Sequence, residues 1–214
     1  MKKVYDTINQ YCVEHELLTN GDGIVIGLSG GMDSVCLLQV LAALRNEWQL
    51  RLVCVHVHHG IRGTAADEDA AFAQRLAAKY NISFRLYEMD IPQLAKEQGL
   101  SEEEAGRNYR YRCFEEVRKE LNFDKIAVAH HRDDQAETVL WQILRGSGLR
   151  GVCGMRAGRA NIIRPLLCLD RQQIEQIVRG NGDGWREDAT NREEKYTRNK
   201  IRNRVFPYIE QEIQ

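Results

Sequence analysis

Proline is scarce in this chain. Pro92, Pro165 and Pro207 are the three among 214 residues, and no linker-like or low-complexity tract breaks the sequence. That excludes a string of domains on linkers and leaves one domain, or one domain with a small appendage. Long apolar runs are missing too, and none approaches the ~20 residues needed to span a bilayer. The start, Met1-Lys2-Lys3-Val4-Tyr5-Asp6, leads into an amphipathic, acid-containing segment rather than a signal-peptide core. Paired cysteines are absent: Cys12, Cys36, Cys54, Cys113, Cys153 and Cys168 stand singly, with no CxxC. Zinc and iron–sulfur sites therefore have little support, and reduced, mostly buried thiols in a cytoplasmic protein are expected. Charge of one sign is also lacking, with a net of −1. The balance is uneven, however. From Arg145 onward fourteen Lys and Arg face nine Asp and Glu, and Lys195–Arg204 holds five basic residues and no acid. A basic surface on one side suits a polyanion, and a solvated helix face is the plainer alternative.

What the sequence does contain is the run Ile24-Val25-Ile26-Gly27-Leu28-Ser29-Gly30-Gly31-Met32-Asp33-Ser34-Val35-Cys36-Leu37-Leu38. An apolar strand pattern ends in Ser-Gly-Gly-x-Asp-Ser and opens directly into an apolar helix. Adjacent glycines let the backbone turn sharply and approach a ligand with no Cβ in the way. The N–H groups and positive dipole end of the following helix suit phosphate. The GxxxxGK[ST] signature is not present, because no lysine follows the glycines.

Apolar strand candidates recur at Ile24–Leu28, Leu52–Val57, Ser83–Met89 and Lys125–Ala129, with a weaker fifth at Asn161–Leu166. Helical patterns at Ser34–Leu44, Ala65–Tyr80, Glu102–Leu121 and Asp134–Leu144 lie between them. The alternation predicts an α/β fold: a Rossmann-like parallel sheet of about five strands with helices on both faces. Residues 1–20 read as an amphipathic helix, 21–167 as the α/β core and 168–214 as a helical, basic extension of the same domain. Ligands of such sheets bind at the carboxyl ends of the strands. Three chemically rich clusters fall there: Ser29–Ser34, His56–Gly60 and His130–Asp134.

His56-Val57-His58-His59-Gly60 follows the second strand with no acidic or cysteine partner at metal-ligand spacing, so contact with adenine and ribose is the more economical role. In His130-His131-Arg132-Asp133-Asp134-Gln135-Ala136-Glu137-Thr138 the three carboxylates share one helical face. Asp133 or Asp134 can cap the helix, or the cluster can serve Mg²⁺ or a substrate ammonium. Arg107, Arg110 and Arg112, with Tyr109 and Tyr111, can clamp phosphate or form a charged helix face.

The first loop resembles the PP-loop of ATP pyrophosphatases. The ordered set SGGxDS, HVHHG, HHxDDQxET, RGSGxxG, RPLL, W…EDxTN and YxRNxIR resembles the tRNA(Ile)-lysidine synthase family. It is carried by Ser29–Ser34, His56–Gly60, His130–Thr138, Arg145–Gly151, Arg164–Leu167, Trp185–Asn191 and Tyr196–Arg202. The resemblance implies ATP-dependent adenylation of C2 of the wobble cytidine, then attack by lysine and release of AMP. It implies ATP and Mg²⁺ as cofactors and, as partners, tRNA(Ile) with a CAU anticodon and free L-lysine; it leaves room for a homodimer. It assigns Ser29, Gly30, Gly31, Met32, Asp33, Ser34, His56, Val57 and His58 to the nucleotide. Asp33, Asp133, Asp134 and Glu137 become catalytic, with Asp33 and Asp133 carrying Mg²⁺. Arg107, Arg110, Arg198 and Arg202 become tRNA or phosphate contacts. The family's further C-terminal tRNA-recognition domains are expected to lie beyond this stretch. Another PP-loop adenylating enzyme, of the NAD synthetase or tRNA thiolase kind, and a non-catalytic nucleotide-binding protein are the rivals.

Overall fold

Six strands form one sheet in the order β3-β2-β1-β4-β6-β5. In the computed structural model, which describes residues 2–58, 64–148, 152–186 and 200–212, these are β1 Gly23–Gly27, β2 Arg51–His58, β3 Ser83–Glu88, β4 Lys125–Ala127, β5 Gly158–Arg159 and β6 Ile162–Ile163. All pairings are parallel except β5 with β6. The helices are α1 Lys2–Glu14, α2 Met32–Leu44, α3 Thr64–Lys79, α4 Ile91–Gln98, α5 Glu102–Glu120, α6 Arg132–Leu144, α7 Arg171–Gly180 and α8 Phe206–Glu212.

The central strands are apolar on both sides, and each side has its own core. Ile24, Ile26, Leu52 and Cys54 point into one that α1, α2, α3 and α7 complete through Ile8, Leu37, Leu41, Leu76 and Ile177. Val25, Val53, Val55 and Val57 point into the other, against Ile91 of α4 and Tyr109, Phe114 and Val117 of α5. A strand covered on both faces needs no polar alternation. Helix α2 is apolar nearly all round and correspondingly buried, and each fully buried Leu along it contributes roughly 1.5–3 kcal/mol. Gly27 permits a close approach between layers: a Cβ there would stand 2.7 Å from Cζ of Phe114.

Three expectations from the sequence need adjustment. The fifth strand is only Ile162–Ile163, because Pro165 lacks an N–H for the ladder and instead opens a 3₁₀ turn over Pro165–Cys168. The two-residue β5 makes the sheet six-stranded. Helix α4 was not anticipated, although its punctuation is complete: Asp90 caps it by accepting from Gln93 N, Pro92 sits in the first turn, and Gly99 ends it at φ +64°.

The strand order places the site. From β1 the chain steps outward to β2 and β3, then returns to place β4 on the other side of β1. The β1/β4 boundary is therefore the switch point, where the loops after the two strands diverge and open a crevice.

Candidate active site

Two loops flank that crevice. The first, Leu28–Gly31, joins β1 to α2. Gly30 adopts φ +90°, a conformation costly for any residue with a Cβ. Its N–H donates to Ser34 Oγ at 3.1 Å, and the Ser34 hydroxyl donates to Gly31 O at 2.8 Å. Ser29 Oγ lies 3.1 Å from Ser34 Oγ and 3.4 Å from Gly31 N. The two serines thus brace the loop from within. Gly31 is the N-cap of α2 and supplies no side-chain cap, so the first-turn N–H groups retain donor capacity toward an anion. Met32 and Ser34 are buried beneath the turn.

The second loop leads from β4 into α6. His131 is its N-cap: its Nδ1 accepts from Asp133 N at 3.3 Å, while Asp134 Oδ2 accepts from His131 N at 3.0 Å. The expected cap by Asp133 or Asp134 is thus replaced by a reciprocal box in which His131 occupies the cap position and Asp134 answers from the first turn. Across the crevice, His131 Nε2 faces both Asp33 Oδ2 at 3.7 Å and Asp134 Oδ2 at 3.5 Å. Glu137, one turn further along, is 1% exposed.

The carboxylates do not stand alone. Arg202, in the π-helical turn Ile201–Val205, donates from Nε to Glu137 Oε1 at 2.5 Å and from Nη2 to Asp134 Oδ1 at 3.2 Å. Burial opposes its charge, but Glu137, Asp134 and Asp33 outweigh that and push its pKa up. At Asp33, burial raises the carboxyl pKa and the Asp134 charge adds to the rise; His131, Arg171 and Arg202 oppose it. Asp33 Oδ1 is buried with no hydrogen-bond partner among the described residues. An anion site of this kind gains from a cation. No three His, Cys, Asp or Glu side chains among the described residues converge as a ready metal cage. Mg²⁺, however, needs only one or two carboxylates when phosphate oxygens and water complete its shell, which Asp33 beside the phosphate-type loop can provide.

The remaining expected residues are spread more widely. His56 is buried behind the first loop, and its Nδ1 meets Leu28 O at 2.8 Å. A carbonyl only accepts, so Nδ1 carries the proton. Burial pushes this imidazole's pKa down, leaving a neutral prop under the loop. Val57 points into the opposite core. His58 Nε2 meets Asp67 Oδ1 at 3.3 Å. Asp133 is half-exposed and lines a cleft with Asp170, Arg171, Gln172 and Glu175. Arg107 and Arg110 lie on exposed positions of α5, with Arg107 5.2 Å from the Tyr111 ring. Tyr109 OH bonds Glu88 O at the end of β3, which sets this part of α5 at the carboxyl end of the sheet. Arg198 lies outside the described residues, as do His59, Gly60 and residues 187–197. Burial holds three of the cysteine thiols protonated, pushing Cys12 and Cys54 to about 12 and Cys168 to about 11.

The sequence reading missed that Arg202 closes onto the acidic cluster and that His131 bridges its two halves. It also missed Arg186, whose N–H bonds Gly30 O at 2.9 Å. The YxRNxIR motif held a signal for Arg202, but 65 residues separate it from Glu137.

A family model described as a PP-loop domain matches residues 2–209. The chain is 48% identical to a tRNA(Ile)-lysidine synthase of Caldanaerobacter subterraneus subsp. tengcongensis, over 99% of this chain and 44% of that protein. It is 36% identical to the one of Geobacillus kaustophilus, over 97% and 46%. The chain thus spans about half the length of these curated relatives. Among solved structures, the U34-tRNA thiolase NcsA of Methanococcus maripaludis with its [4Fe-4S] cluster superposes with a TM-score of 0.76 at 18% identity, over 98% of this chain and 73% of that one. The NH3-dependent NAD synthetase of Campylobacter jejuni gives 0.56 at 17% identity, over 85% and 73%. At such identities the structural likeness speaks for the fold, whereas the family match rests on sequence along nearly the whole chain: this protein belongs to the PP-loop domain family.

Proposed function

We propose that this chain is the catalytic part of a tRNA(Ile)-lysidine synthase, converting the wobble cytidine of a CAU-anticodon tRNA(Ile) to lysidine with ATP and free lysine. The observation that carries the reading is the juxtaposition at the β1/β4 switch point. A loop of serines and glycines built for phosphate faces a carboxylate cluster suited to an ammonium group.

On this reading Ser29, Gly30, Gly31 and Ser34, with the first-turn N–H groups of α2, hold the β- and γ-phosphates of ATP as a unit. His56 fixes the loop from behind, and the carboxyl end of β2 at His58 borders the nucleoside. The C2 oxygen of cytidine attacks the α-phosphorus. The bond to the bridging oxygen breaks, and pyrophosphate leaves into the loop's donors. Lysine Nζ then attacks C2, the C2–O bond breaks, AMP departs with that oxygen, and the amine surrenders a proton. Asp134 and Glu137 attract and orient the ammonium, with Arg202 setting their geometry, and a carboxylate of this cluster accepts the proton. Asp33, with Asp133 and the phosphates, would hold Mg²⁺, which when bound would supply charge to offset that developing on the phosphates. Most of the acceleration comes from positioning and charge stabilisation. Arg107, Arg110 and Arg198 meet the tRNA backbone. The domain division given above, the cytoplasmic setting and a homodimer belong to the same proposal.

Its test is release of AMP and pyrophosphate that depends on both lysine and tRNA. Unmodified tRNA(Ile) is compared with a variant whose wobble cytidine is replaced. Release that ignores the cytidine sinks the tRNA reading and favours another adenylating activity. The singly placed cysteines, with no CxxC pair, give no support to a thiolase-like alternative.

A further inference from the structure

After α7 the segment Asn181–Arg186 runs up to the first loop, anchored at both ends. At its start, the Asp183 side chain is 4% exposed. It accepts from Gln39 Nε2 at 2.7 Å, from Tyr80 OH at 2.5 Å and from Lys79 Nζ. Gln39 lies inside α2, 2% exposed, and its other amide atom accepts from Asn181 Nδ2 at 3.1 Å. One carboxylate therefore joins the middle of α2, the end of α3 and the segment itself. Burial works against its ionisation, but Lys79, Tyr80 and Gln39 together hold its pKa below the ordinary range. Next in line, Trp185 packs on the core, with the Arg179 guanidinium 5.2 Å from its ring.

At the far end, Arg186 N–H donates to Gly30 O at 2.9 Å. Its side chain reaches α3, with Nε on Asp69 Oδ1 at 2.7 Å and Nη2 on Glu68 Oε2 at 2.8 Å. The Gly30–Gly31 peptide is the one whose orientation matters most for an anion. Glycine on both sides allows it to flip at little cost, and a flip would turn a carbonyl oxygen toward the phosphates. The bond from Arg186 N fixes the direction of that carbonyl and so opposes the flip.

We propose that Asp183 and Arg186 are positioning residues for the phosphate loop: Asp183 pins the 181–186 strap, and Arg186 uses it to fix the Gly30 peptide in its anion-binding orientation. The proposal rests on the reading of Ser29–Ser34 as the ATP phosphate site.

Titration calorimetry of ATP with Mg²⁺ into the 214-residue chain tests it without recourse to tRNA chemistry. Asp183→Asn and Arg186→Ala should each weaken ATP about tenfold, about 1.4 kcal/mol, and Arg186→Lys should restore part of the loss. The double substitution should be no weaker than about the stronger single one, because both loosen the same strap. Hydrogen exchange across residues 29–34 should quicken in Asp183→Asn. If Asp183→Asn does not fold, Tyr80→Phe, which removes a single bond to that carboxylate, carries the same test with about a threefold effect. A purely structural role would lower the unfolding midpoint but leave the affinity of the folded variants within twofold, and that result overturns the proposal. Full multiplication of the two single effects also overturns it. If the unsubstituted chain does not bind ATP, the phosphate-site reading itself falls, an outcome distinct from binding that ignores the strap.

Discussion

Glu137 shows how much chemistry one side chain concentrates. It is sealed from solvent on α6, bonded to an arginine from the far end of the chain, and one turn from Asp134. Glu137→Gln keeps the shape and removes the charge that would attract an ammonium. We expect lysidine formation to fall about 10²–10³-fold, the usual cost of one electrostatic group aimed at a reacting centre. Normal lysidine formation with only a raised ATP KM would remove Glu137 from the lysine site. Arg202→Ala removes the guanidinium from Glu137 and Asp134, so the unfolding free energy should drop by about 2 kcal/mol, as for loss of a hydrogen bond to a charged group. A denaturant melt measures this. His56 yields a prediction in pH. Burial lowers its folded pKa beneath the unfolded value of about 6.5, so below that pH the unfolded chain binds the extra proton and stability falls. The midpoint of thermal unfolding should decline as pH drops through about 6.5, and His56→Gln should flatten that limb. The residue types at Ser29–Ser34 and His130–Glu137 were legible in the sequence because their spacing is local. The Arg202–Glu137 pair was not, because a salt bridge across 65 residues leaves no mark on either neighbourhood.

At the level of elements, packing and capping can be separated by substitution. Gly27→Ala places a Cβ 2.7 Å from Phe114 and should destabilise by about 1–3 kcal/mol through overpacking of β1 against α5. Adding Phe114→Leu should recover part of that loss, a coupling that calorimetric melts of the single and double variants resolve. Ser101 caps α5 by accepting from Glu104 N at 3.2 Å. Ser101→Ala should cost about 1 kcal/mol through an unrelated mechanism. The long helices and the inner strands could be read from periodicity. Helix α4 could not, because eight residues carry barely two turns of pattern, and its caps are the stronger signal. Strand β6 is two residues long between a turn and a proline, so tertiary pairing with β4 defines it rather than its own sequence.

Over the whole molecule, net charge is nearly zero, and any polyanion must be met by local basic surface. Binding of tRNA to this chain should be weak and strongly salt-dependent. Arg107→Ala and Arg110→Ala should each reduce the slope of log affinity against log salt by about one. Filter binding across a salt series checks this, and tight, salt-insensitive binding contradicts it. The amino-acid sequence by itself determined the alternation of strands and helices, the strained glycine loop and the identity of the acidic cluster, because backbone preference and hydrophobic period act over a few residues. Only the tertiary structure decided which loops meet. The order β3-β2-β1-β4 sets the loop after β1 against the loop after β4, and side-chain bonds spanning 65 to 144 residues bring Arg202 onto Glu137 and Asp183 onto Gln39. Chain reversal at the switch point opens the crevice, and burial makes its charges pair; neither can act before the sheet has formed.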